Sequence, residues 1–458
     1  MEIDSKQKVK LLPFIVATAF FMQMLDQSIL NTAIPRIAQY INEKPVNMSA
    51  TVMAYTLSAA FFLPVSGWLS ERFGIKRIFL LSLIIFTAGS FLCAISDTLF
   101  KLTASRVIQG IGGALMVPIG RLAILRVFPR DQYVKVISFI VMPALIGPLI
   151  GPTVGGFIVE YFTWHWIFLI NIPIGILCFV FSLYIMPQIP RARATPKFDW
   201  LGFFIFDSAV IFFFLFGGTG GISLLLPKPL SFAIAVGLLV VYFLYAKGKK
   251  GVLFELELFK TRNFTVGILG NFIARLSGGA LPFVAPLFLQ TALGYSPSKA
   301  GIALIPLSVG AIFVKSFVAR LIARFGHKKF MTANTIVLGI FIACVAFIGI
   351  DTPFYMVLIV YGLIGMANSM QFTAINTLTM IDVPAKLLSE ANSLFSITMQ
   401  LCMALGISFC AILLSTVVEL PKFALPVAAF HLVYIIIGAF TLMNFLIFLM
   451  IREDKAAA

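Results

Sequence analysis

Residues 11–34 read LLPFIVATAFFMQMLDQSILNTAI, and this apolar run is long enough to cross a lipid bilayer as a helix. One charged residue, Asp26, lies inside it. A charge at that depth costs free energy, so an intramembrane carboxylate usually marks a proton or substrate pathway. Two interpretations of Asp26 stay open: a carboxylate that titrates during function, or a permanent salt bridge that locks two helices together.

The composition of the whole chain also indicates a membrane protein. Of 458 residues, 60% are hydrophobic and 11% are charged, whereas soluble proteins average about 45–50% apolar and about 25% charged residues. The apolar runs are continuous, which excludes a transmembrane β-barrel and predicts an all-α polytopic membrane protein. The basic residues behind the net charge of +16 lie in short loops, so we expect no nucleic-acid partner. The five cysteines are scattered without a CxxC pair and predict neither a disulfide nor a metal site.

The apolar runs predict fourteen membrane spans, which we number along the chain. They lie near residues 11–34, 49–69, 78–96, 102–123, 134–158, 164–186, 200–219, 229–246, 264–290, 298–318, 330–350, 353–375, 388–416 and 427–451. With the N-terminus in the cytoplasm, 25 Lys and Arg residues fall on the cytoplasmic side and six in outer loops. This positive-inside bias predicts a bacterial inner-membrane protein with both termini in the cytoplasm.

A loop motif repeats within the chain. Residues 72–77, between spans two and three, read RFGIKR, and residues 324–329, between spans ten and eleven, read RFGHKK, 252 positions later. This repeat is expected of two parallel six-helix halves, and it leaves spans seven and eight outside both. We therefore predict an N-terminal half at 1–186, a linker with an inserted helix pair at 187–262, and a C-terminal half at 263–458.

Span four carries polar and small residues on one helix face. Spacings of i, i+3, i+4 and i+7 place four residues there: Arg106, Gln109, Gly110 and Gly113. The glycines allow a neighbouring helix to approach closely. From the helical rise, Arg106 and Asp26 differ in depth by roughly 6 Å. A long Arg side chain can span that distance, although the sequence does not require the pair.

Prolines and glycines mark spans one and five. Pro35 is predicted to end the first helix at its outer rim. Span five contains a segment of small and ring residues: Gly147, Pro148, Gly151, Pro152, Gly155 and Gly156. This segment predicts either a kinked helix that bends or slides at the interface between the halves, or a tightly packed glycine face without motion. Both interpretations place it in a helix contact.

The loop between spans two and three forms a further motif, made of Gly67, Glu71, Arg72, Gly74 and Arg77. A turn this tight requires glycine at position 74. Glu71 is available to pair with a helix end or with an Arg, and Arg77 is interpreted as a topology anchor.

These strings closely resemble motifs of a known family, as do residues 25–35, 164–173 (WHWIFLINIP) and 257–260 (ELFK). The family is the fourteen-span drug:proton antiporter branch of the major facilitator superfamily, of the EmrB and QacA type, and the MdtD- and HsrA-like members are the most similar. The resemblance covers all fourteen predicted spans. It implies proton coupling by Asp26 and Arg106, an exporter-type span five, and no cofactor besides the proton gradient. The motif usually has Asp in place of Glu71 and Arg in place of Ile75.

Charges outside these motifs extend the candidate site. Arg275 lies near the middle of span nine, and Asn271 precedes it by one turn on the same face. A cation there should face a cavity or a charged partner, and both roles stay open. We assign four residues to a substrate cavity: Asn31, Gln109, Asn271 and Arg275. Asp207, in span seven, is interpreted as a second proton site or a local helix contact.

The combined pattern predicts a monomeric, proton-coupled exporter of drugs or other small amphipathic molecules that works in lipid by alternating access. The alternative is an exporter of a specific metabolite, siderophore or organic anion, because Arg106 and Arg275 place two cations against Asp26. A non-transporting membrane sensor is disfavoured because no loop is long enough to carry an output domain. An enzyme is disfavoured because the sequence shows no nucleophile–base or metal-ligand constellation.

Overall fold

A computed structural model describes residues 5–188, 198–217, 227–249, 252–254, 256–384, 387–418 and 426–452. The predicted linker and helix pair at 187–262, and the end of predicted span seven, fall partly outside these ranges. The helices of the described residues are α1 (Ser5–Tyr40), α2 (Ser49–Phe73), α3 (Ile75–Ala94), α4 (Leu99–Val127), α5 (Arg130–Tyr161), α6 (Trp166–Leu169), α7 (Asn171–Ile185), α8 (Trp200–Gly217), α9 (Lys228–Ala246), α10 (Arg262–Gly278), α11 (Leu281–Leu287), α12 (Pro297–Ala303), α13 (Ile305–Phe313), α14 (Lys315–Cys344), α15 (Phe354–Ile381), α16 (Leu388–Val418) and α17 (Pro426–Phe448).

The prediction of an all-α membrane protein is confirmed, whereas the count of fourteen spans is not. Within the described ranges, eleven helices are long and apolar enough to cross a membrane, and Trp200–Phe213 and Pro297–Phe313 are shorter apolar helices. The predicted span five corresponds to α5, where several side chains between residues 130 and 145 lie outside the description. Large apolar side chains such as Phe91, Leu177 and Phe243 are exposed on the helix surfaces, as lipid-facing residues would be.

The chain divides into two compact units, Met1–Phe198 and Asp199–Ala458. In the first unit, α1 packs along α5, and α4 packs between α2 and α3, while α7 packs against α1 and α3. The apolar core of this unit joins Phe20, Phe79, Phe86 and Met116, all almost completely buried. The division into a six-helix half, an inserted helix pair and a second half stays a prediction.

Pro35 does not end the first helix, so that prediction is wrong. Helix α1 continues through Pro35 to Tyr40. Proline in a helix interior removes one backbone hydrogen bond. Ile37 and Ala38 are fully buried beyond it, and this packing holds the last turn in helical form.

In the second unit, α8 packs against α9 and also contacts α16. Helix α10 packs against α15, α16 and α17, and α14 packs against α15 and α17. The predicted span nine is interrupted: α10 is followed by α11 and then by a π-helical turn at Phe288–Ala292. Pro282 and Pro286 lie in this stretch, where each removes a backbone donor.

Candidate functional site

Two glycines of α4 allow the backbones of α2 and α3 to lie close to it. A Cβ atom added at Gly110 would lie 2.6 Å from the backbone oxygen of Tyr55 in α2. A Cβ at Gly112 would lie 2.8 Å from the Cα of Phe86 in α3. Only glycine permits backbones to approach this closely. The close packing places α4 directly against the backbones of α2 and α3.

Asp26 and Arg106 form an ion pair inside the first unit. The Nη1 of Arg106 donates a hydrogen bond to the Oδ2 of Asp26 over 2.7 Å. Each residue is only 1% exposed. The pair that the sequence permitted but did not require is therefore present. A buried ion pair is a costly arrangement unless further hydrogen bonds satisfy both groups.

Gln109 supplies one of those further contacts. Its Nε2 donates to the Oδ1 of Asp26 and to the Oγ of Ser90, each over 2.7 Å. Its Oε1 accepts a 2.5 Å hydrogen bond from the same Nη1 of Arg106 that binds Asp26. Gln109 is fully buried, so the structure places it in this network; its predicted role in a substrate cavity stays untested.

Asn171 completes the network, and the sequence analysis assigned it no role. It lies at the start of α7, and its Nδ2 donates to the Oδ1 of Asp26 over 2.8 Å and to the Oγ of Ser90 over 3.4 Å. Both Asn171 and Ser90 are fully buried. The only sequence signal was a polar side chain inside predicted span six, within the family-like string at 164–173. The carboxylate of Asp26 thus accepts three hydrogen bonds from three different side chains.

Aromatic rings cover the guanidinium of Arg106. Its Cζ lies 4.4 Å from the ring centroid of Tyr55 and 5.9 Å from that of Phe168. Both rings are buried. Cation–π contacts of this kind strengthen when water is excluded. These rings contact the Arg106 cation while the Nη1 of Arg106 binds Asp26 and Gln109, and among the described residues its Nε has no hydrogen-bond partner.

The glycine segment of α5 packs against α1 next to Asp26. A Cβ at Gly147 would lie 2.8 Å from the backbone nitrogen of Leu25. The Oγ of Ser28 donates to the backbone oxygen of Gly147 over 3.1 Å. A Cβ at Gly155 would lie 2.5 Å from the Oγ1 of Thr32. The predicted helix contact of this segment is therefore with α1, and it fixes the backbone on both sides of Asp26.

The prolines of this segment do not break the helix. Pro148 and Pro152 both lie inside α5, which runs without interruption from Arg130 to Tyr161. Gly156 is buried beside Gly155. The glycine face is packed in this structure, and the alternative of a bending or sliding helix stays a prediction.

Asn31 lies apart from the network although it shares α1 with Asp26. Its Nδ2 donates to the backbone oxygen of Gln27 over 3.3 Å, and among the described residues its Oδ1 has no hydrogen-bond partner. Its role in a substrate cavity stays untested.

The turn between α2 and α3 adopts the conformation that its glycine was predicted to provide. Gly74 has φ +96° and ψ 137°, and its N–H donates to the backbone oxygen of Ser70 over 3.0 Å. Residues with positive φ and extended ψ are almost always glycine. The guanidinium of Arg72 lies 5.3 Å from the ring centroid of Trp68. Gly67 is in open space, since no atom lies within 4 Å of a Cβ added there.

Glu71 and Arg77 flank this turn without buried contacts. Glu71 is half-buried and Arg77 is exposed. No ion pair involves Glu71 in the part of the chain that the structure describes. The repeated loop has the same backbone form: Gly326 interrupts α14 with φ +76° and ψ 159°.

The second unit carries a cation, Arg275, that lies against an aromatic ring. Arg275 is half-buried in α10, and its Cζ lies 4.3 Å from the ring centroid of Phe372 in α15. Within the described ranges it forms no ion pair. One turn earlier, Asn271 is fully buried, and neither end of its amide has a hydrogen-bond partner there. Two polar groups with unused hydrogen-bonding capacity thus lie on one helix face.

The cysteines and other potential metal ligands are dispersed. The five cysteines are free thiols, and four of them are buried. Among the residues that the structure describes, no group of three or more His, Cys, Asp or Glu side chains could hold a metal ion.

The fold and the buried network describe a helical membrane transporter. The family model of the Major Facilitator Superfamily matches residues 16–249 and 267–458, so this chain belongs to that superfamily. It is therefore a transporter rather than an enzyme, as the sequence predicted.

Two relatives share about two fifths of their residues with this chain. One, named "Putative multidrug resistance protein MdtD", comes from Pectobacterium atrosepticum; it is 42% identical over 425 residues, covering 92% of this chain and 90% of the relative. A protein of the same name from Escherichia coli O1:K1 / APEC is 42% identical over 406 residues, covering 88% and 85%.

Solved structures are similar in fold. The D-xylose–proton symporter is 16% identical, with a TM-score of 0.69 over 97% of this chain and 98% of its own. The POT family transporter PepTSo is 13% identical, with a TM-score of 0.71 over 96% and 97%.

Proposed function

We propose that this protein is a proton-coupled exporter of small amphipathic molecules, including drugs, and that it exchanges protons for substrate by alternating access. The observation that carries this proposal is the buried Asp26–Arg106 pair in the first unit. Intramembrane ionisable residues are rare unless they serve a pathway. The names of the two MdtD relatives support drugs as substrates.

Proton binding at Asp26 would compete with its three hydrogen-bond donors. A protonated Asp26 no longer attracts the cation of Arg106, so Arg106, Gln109 and Asn171 would rearrange around it. A proton shifts a conformational equilibrium only if the two conformations bind it with different affinity. The network offers such a difference, because a conformation that separates α1 from α4 would free the carboxylate for protonation.

The glycine segment of α5 would couple the rearrangement around Asp26 to a movement of α5. Gly147 contacts the backbone of Leu25, the residue before Asp26. A movement of α1 near Asp26 therefore requires α5 to move with it, since packed helices shift as units. This step supports the assignment of Gly147, Gly151 and Gly155 to conformational change.

We also propose the finer architecture. The chain would have fourteen spans in a bacterial inner membrane, with both termini in the cytoplasm, and would work as a monomer. Spans seven and eight would form a hairpin inserted between two six-helix halves. The loop repeat supports this arrangement, because Gly74 and Gly326 share a positive φ at matching places in their sequences.

Transport by reconstituted protein tests the proposal. Proteoliposomes containing wild type, Asp26→Asn or Asp97→Asn would be given an imposed proton gradient and a panel of neutral, zwitterionic and cationic amphipaths. Asp97 is a matched control, because it forms an exposed pair with Lys101 over 2.8 Å. We expect gradient-driven transport by wild type and Asp97→Asn, and its loss in Asp26→Asn. Transport by Asp26→Asn at the wild-type rate would refute the coupling role.

A second candidate function is the export of an organic anion, such as a metabolite or siderophore. The observation that favours it is Arg275, which stacks on Phe372 and has no acidic partner among the described residues. Asn271, whose amide has no hydrogen-bond partner in the part of the chain that the structure describes, lies one turn away. A guanidinium and an amide on one face can bind a carboxylate with several hydrogen bonds.

Binding of charge-matched ligands distinguishes the two candidates. Affinities of paired anionic and cationic amphipaths would be measured for wild type, Arg275→Ala and Arg275→Lys. Anion export predicts tighter binding of the anion, loss of that preference in Arg275→Ala, and partial retention in Arg275→Lys, which keeps the charge but not the planar fork. Tighter binding of the cation that is unchanged in Arg275→Ala would exclude anion export.

A further inference from the structure

A second carboxylate is buried in the other unit, on the helix that the sequence places in the inserted hairpin. Asp207 lies in α8, which packs against α9 and α16. It is 1% exposed. The residue before it, Phe206, packs its ring 5.8 Å from that of Tyr242 and 5.1 Å from that of Phe254, measured between centroids. Apart from Asp207 itself, residues 201–216 of α8 include no charged residue.

Neither oxygen of Asp207 has a hydrogen-bond partner among the described residues, and the carboxyl forms no ion pair there. Residues 229–246 of α9 and 391–418 of α16 contain no Asp, Glu, Lys, Arg or His. The charged residues of these two helices are Lys228, the first residue of α9, and Glu390, in the first turn of α16, whereas Asp207 is the eighth of the 18 residues of α8. The titratable groups on these stretches are Tyr242 and Tyr245 on α9, and Cys402 and Cys410 on α16.

Two other carboxylates of the chain, in contrast, have hydrogen-bond donors. Asp199, at the start of the same helix, accepts hydrogen bonds from the hydroxyl of Tyr245 and from the backbone N–H groups of Gly202 and Leu253. The hydroxyl of Tyr242 accepts from the backbone N–H of Phe254, so both tyrosines of α9 have other contacts. Asp26 likewise has three donors. Asp207 has no donor within the described ranges, and a buried charge without donors or counter-charge is strongly unfavourable.

We propose that Asp207 is a second proton-binding site of this transporter, separate from the Asp26 network, and that it holds a proton in the conformation described. The neutral carboxylic acid removes a charge that has no hydrogen-bond donor or ion-pair partner among the described residues. Loss of the proton would require water to reach the carboxyl, which is 1% exposed on a helix that packs against α9 and α16. Proton occupancy at Asp207 is therefore linked to separation of α8 from these helices. This inference does not depend on the substrate or on the role of Asp26.

Infrared spectroscopy of the purified full-length protein tests the proposal directly. A protonated carboxylic acid has a C=O stretching band that is distinct from ionised carboxylates and that shifts in deuterium oxide. A detergent without ester groups keeps the spectrum clear of lipid carbonyls. We expect this band in wild type at neutral pH, its loss in Asp207→Asn, and its retention in the control Asp97→Asn, which replaces an exposed carboxylate. The band should decrease as the pH is raised, because the site exchanges its proton.

Two results would overturn the proposal. One is a spectrum of Asp207→Asn in which the band is as strong as in wild type, which would show that Asp207 is ionised. The other is a wild-type band that does not change over the whole pH range in which the protein stays folded, which would show a permanently protonated structural group. Asp207→Glu keeps a titratable carboxyl and should retain the band, so it separates loss of the proton site from loss of folding. Far-ultraviolet circular dichroism verifies the helix content of each variant.

Discussion

The Nη1 of Arg106 lies 2.7 Å from the Oδ2 of Asp26, and both side chains are almost completely buried. The two residues are 80 positions apart in the sequence. Removing one member of a buried ion pair leaves an uncompensated charge, which costs about 3–5 kcal/mol, whereas replacing both members is often close to neutral. The pair therefore predicts that substitutions of its two members have non-additive effects on stability.

Asp26→Asn and Arg106→Met should each destabilise the protein by about 3–5 kcal/mol, and the double variant should lose clearly less than the sum. Thermal unfolding in detergent, followed by circular dichroism, measures the coupling. The matched control is the exposed pair, Asp97→Asn with Lys101→Met, which should show no resolvable coupling because solvent screens it. Additive losses at Asp26 and Arg106 would mean that the buried pair does not contribute as a unit.

Asn171→Ala should weaken both stability and proton coupling. Asn171 donates to the carboxylate of Asp26 over 2.8 Å, and a hydrogen bond to a charged group contributes about 1.5–3 kcal/mol. The control is Asn334→Ala, because Asn334 is also buried but donates to the Oε1 of Gln371 over 2.7 Å. Both variants should unfold at lower temperature. Only Asn171→Ala should change the pH dependence of gradient-driven transport in proteoliposomes, and an equal change in both variants would argue against a role for Asn171 at Asp26.

The sequence predicted the part of this site that depends on depth in the membrane. Helical rise placed Asp26 and Arg106 at similar depths, because both lie on long apolar spans whose depth can be counted, and this permitted the pair without requiring it. Asn171 and Ser90 could not be assigned in this way. Their place beside Asp26 depends on how α3 and α7 pack around α1, and a single sequence carries no information on that packing beyond the apolar pattern.

Helix ends also show which features follow from the local sequence and which depend on tertiary packing. The turn at Gly74 was predictable, since a positive φ is a local property of the chain. The continuation of α1 through Pro35 was not, because buried Ile37 and Ala38 outweigh the local effect of proline. The contact of Arg275 with Phe372 is likewise tertiary, since the two residues lie on α10 and α15.

Gly151→Ala should separate α5 from α1 and reduce stability by about 1–3 kcal/mol, the usual range for overpacking. A Cβ at Gly151 would lie 2.7 Å from the Cβ of Ser28 and 3.2 Å from the backbone nitrogen of Ile29. Gly237→Ala on α9 is the matched control, because no atom lies within 4 Å of its added Cβ. This control should be neutral or slightly stabilising, since alanine favours a helix. Unfolding temperatures of the two variants and of wild type would be compared in detergent. A Gly151→Ala variant as stable as wild type would show that α1 and α5 can separate at little cost.

Gly74→Ala and Gly326→Ala should have similar effects although they lie in different units. Both glycines have positive φ, +96° and +76°, with extended ψ. An L-residue held in such a conformation stores about 1–3 kcal/mol of strain. Each variant should therefore unfold at lower temperature by a comparable amount. Gly349→Ala serves as the control, because Gly349 lies outside the positive-φ glycines and its added Cβ meets no atom within 4 Å. A loss at Gly74 without a loss at Gly326 would contradict the structural equivalence of the two loops, and with it the repeat on which the proposed arrangement of spans depends.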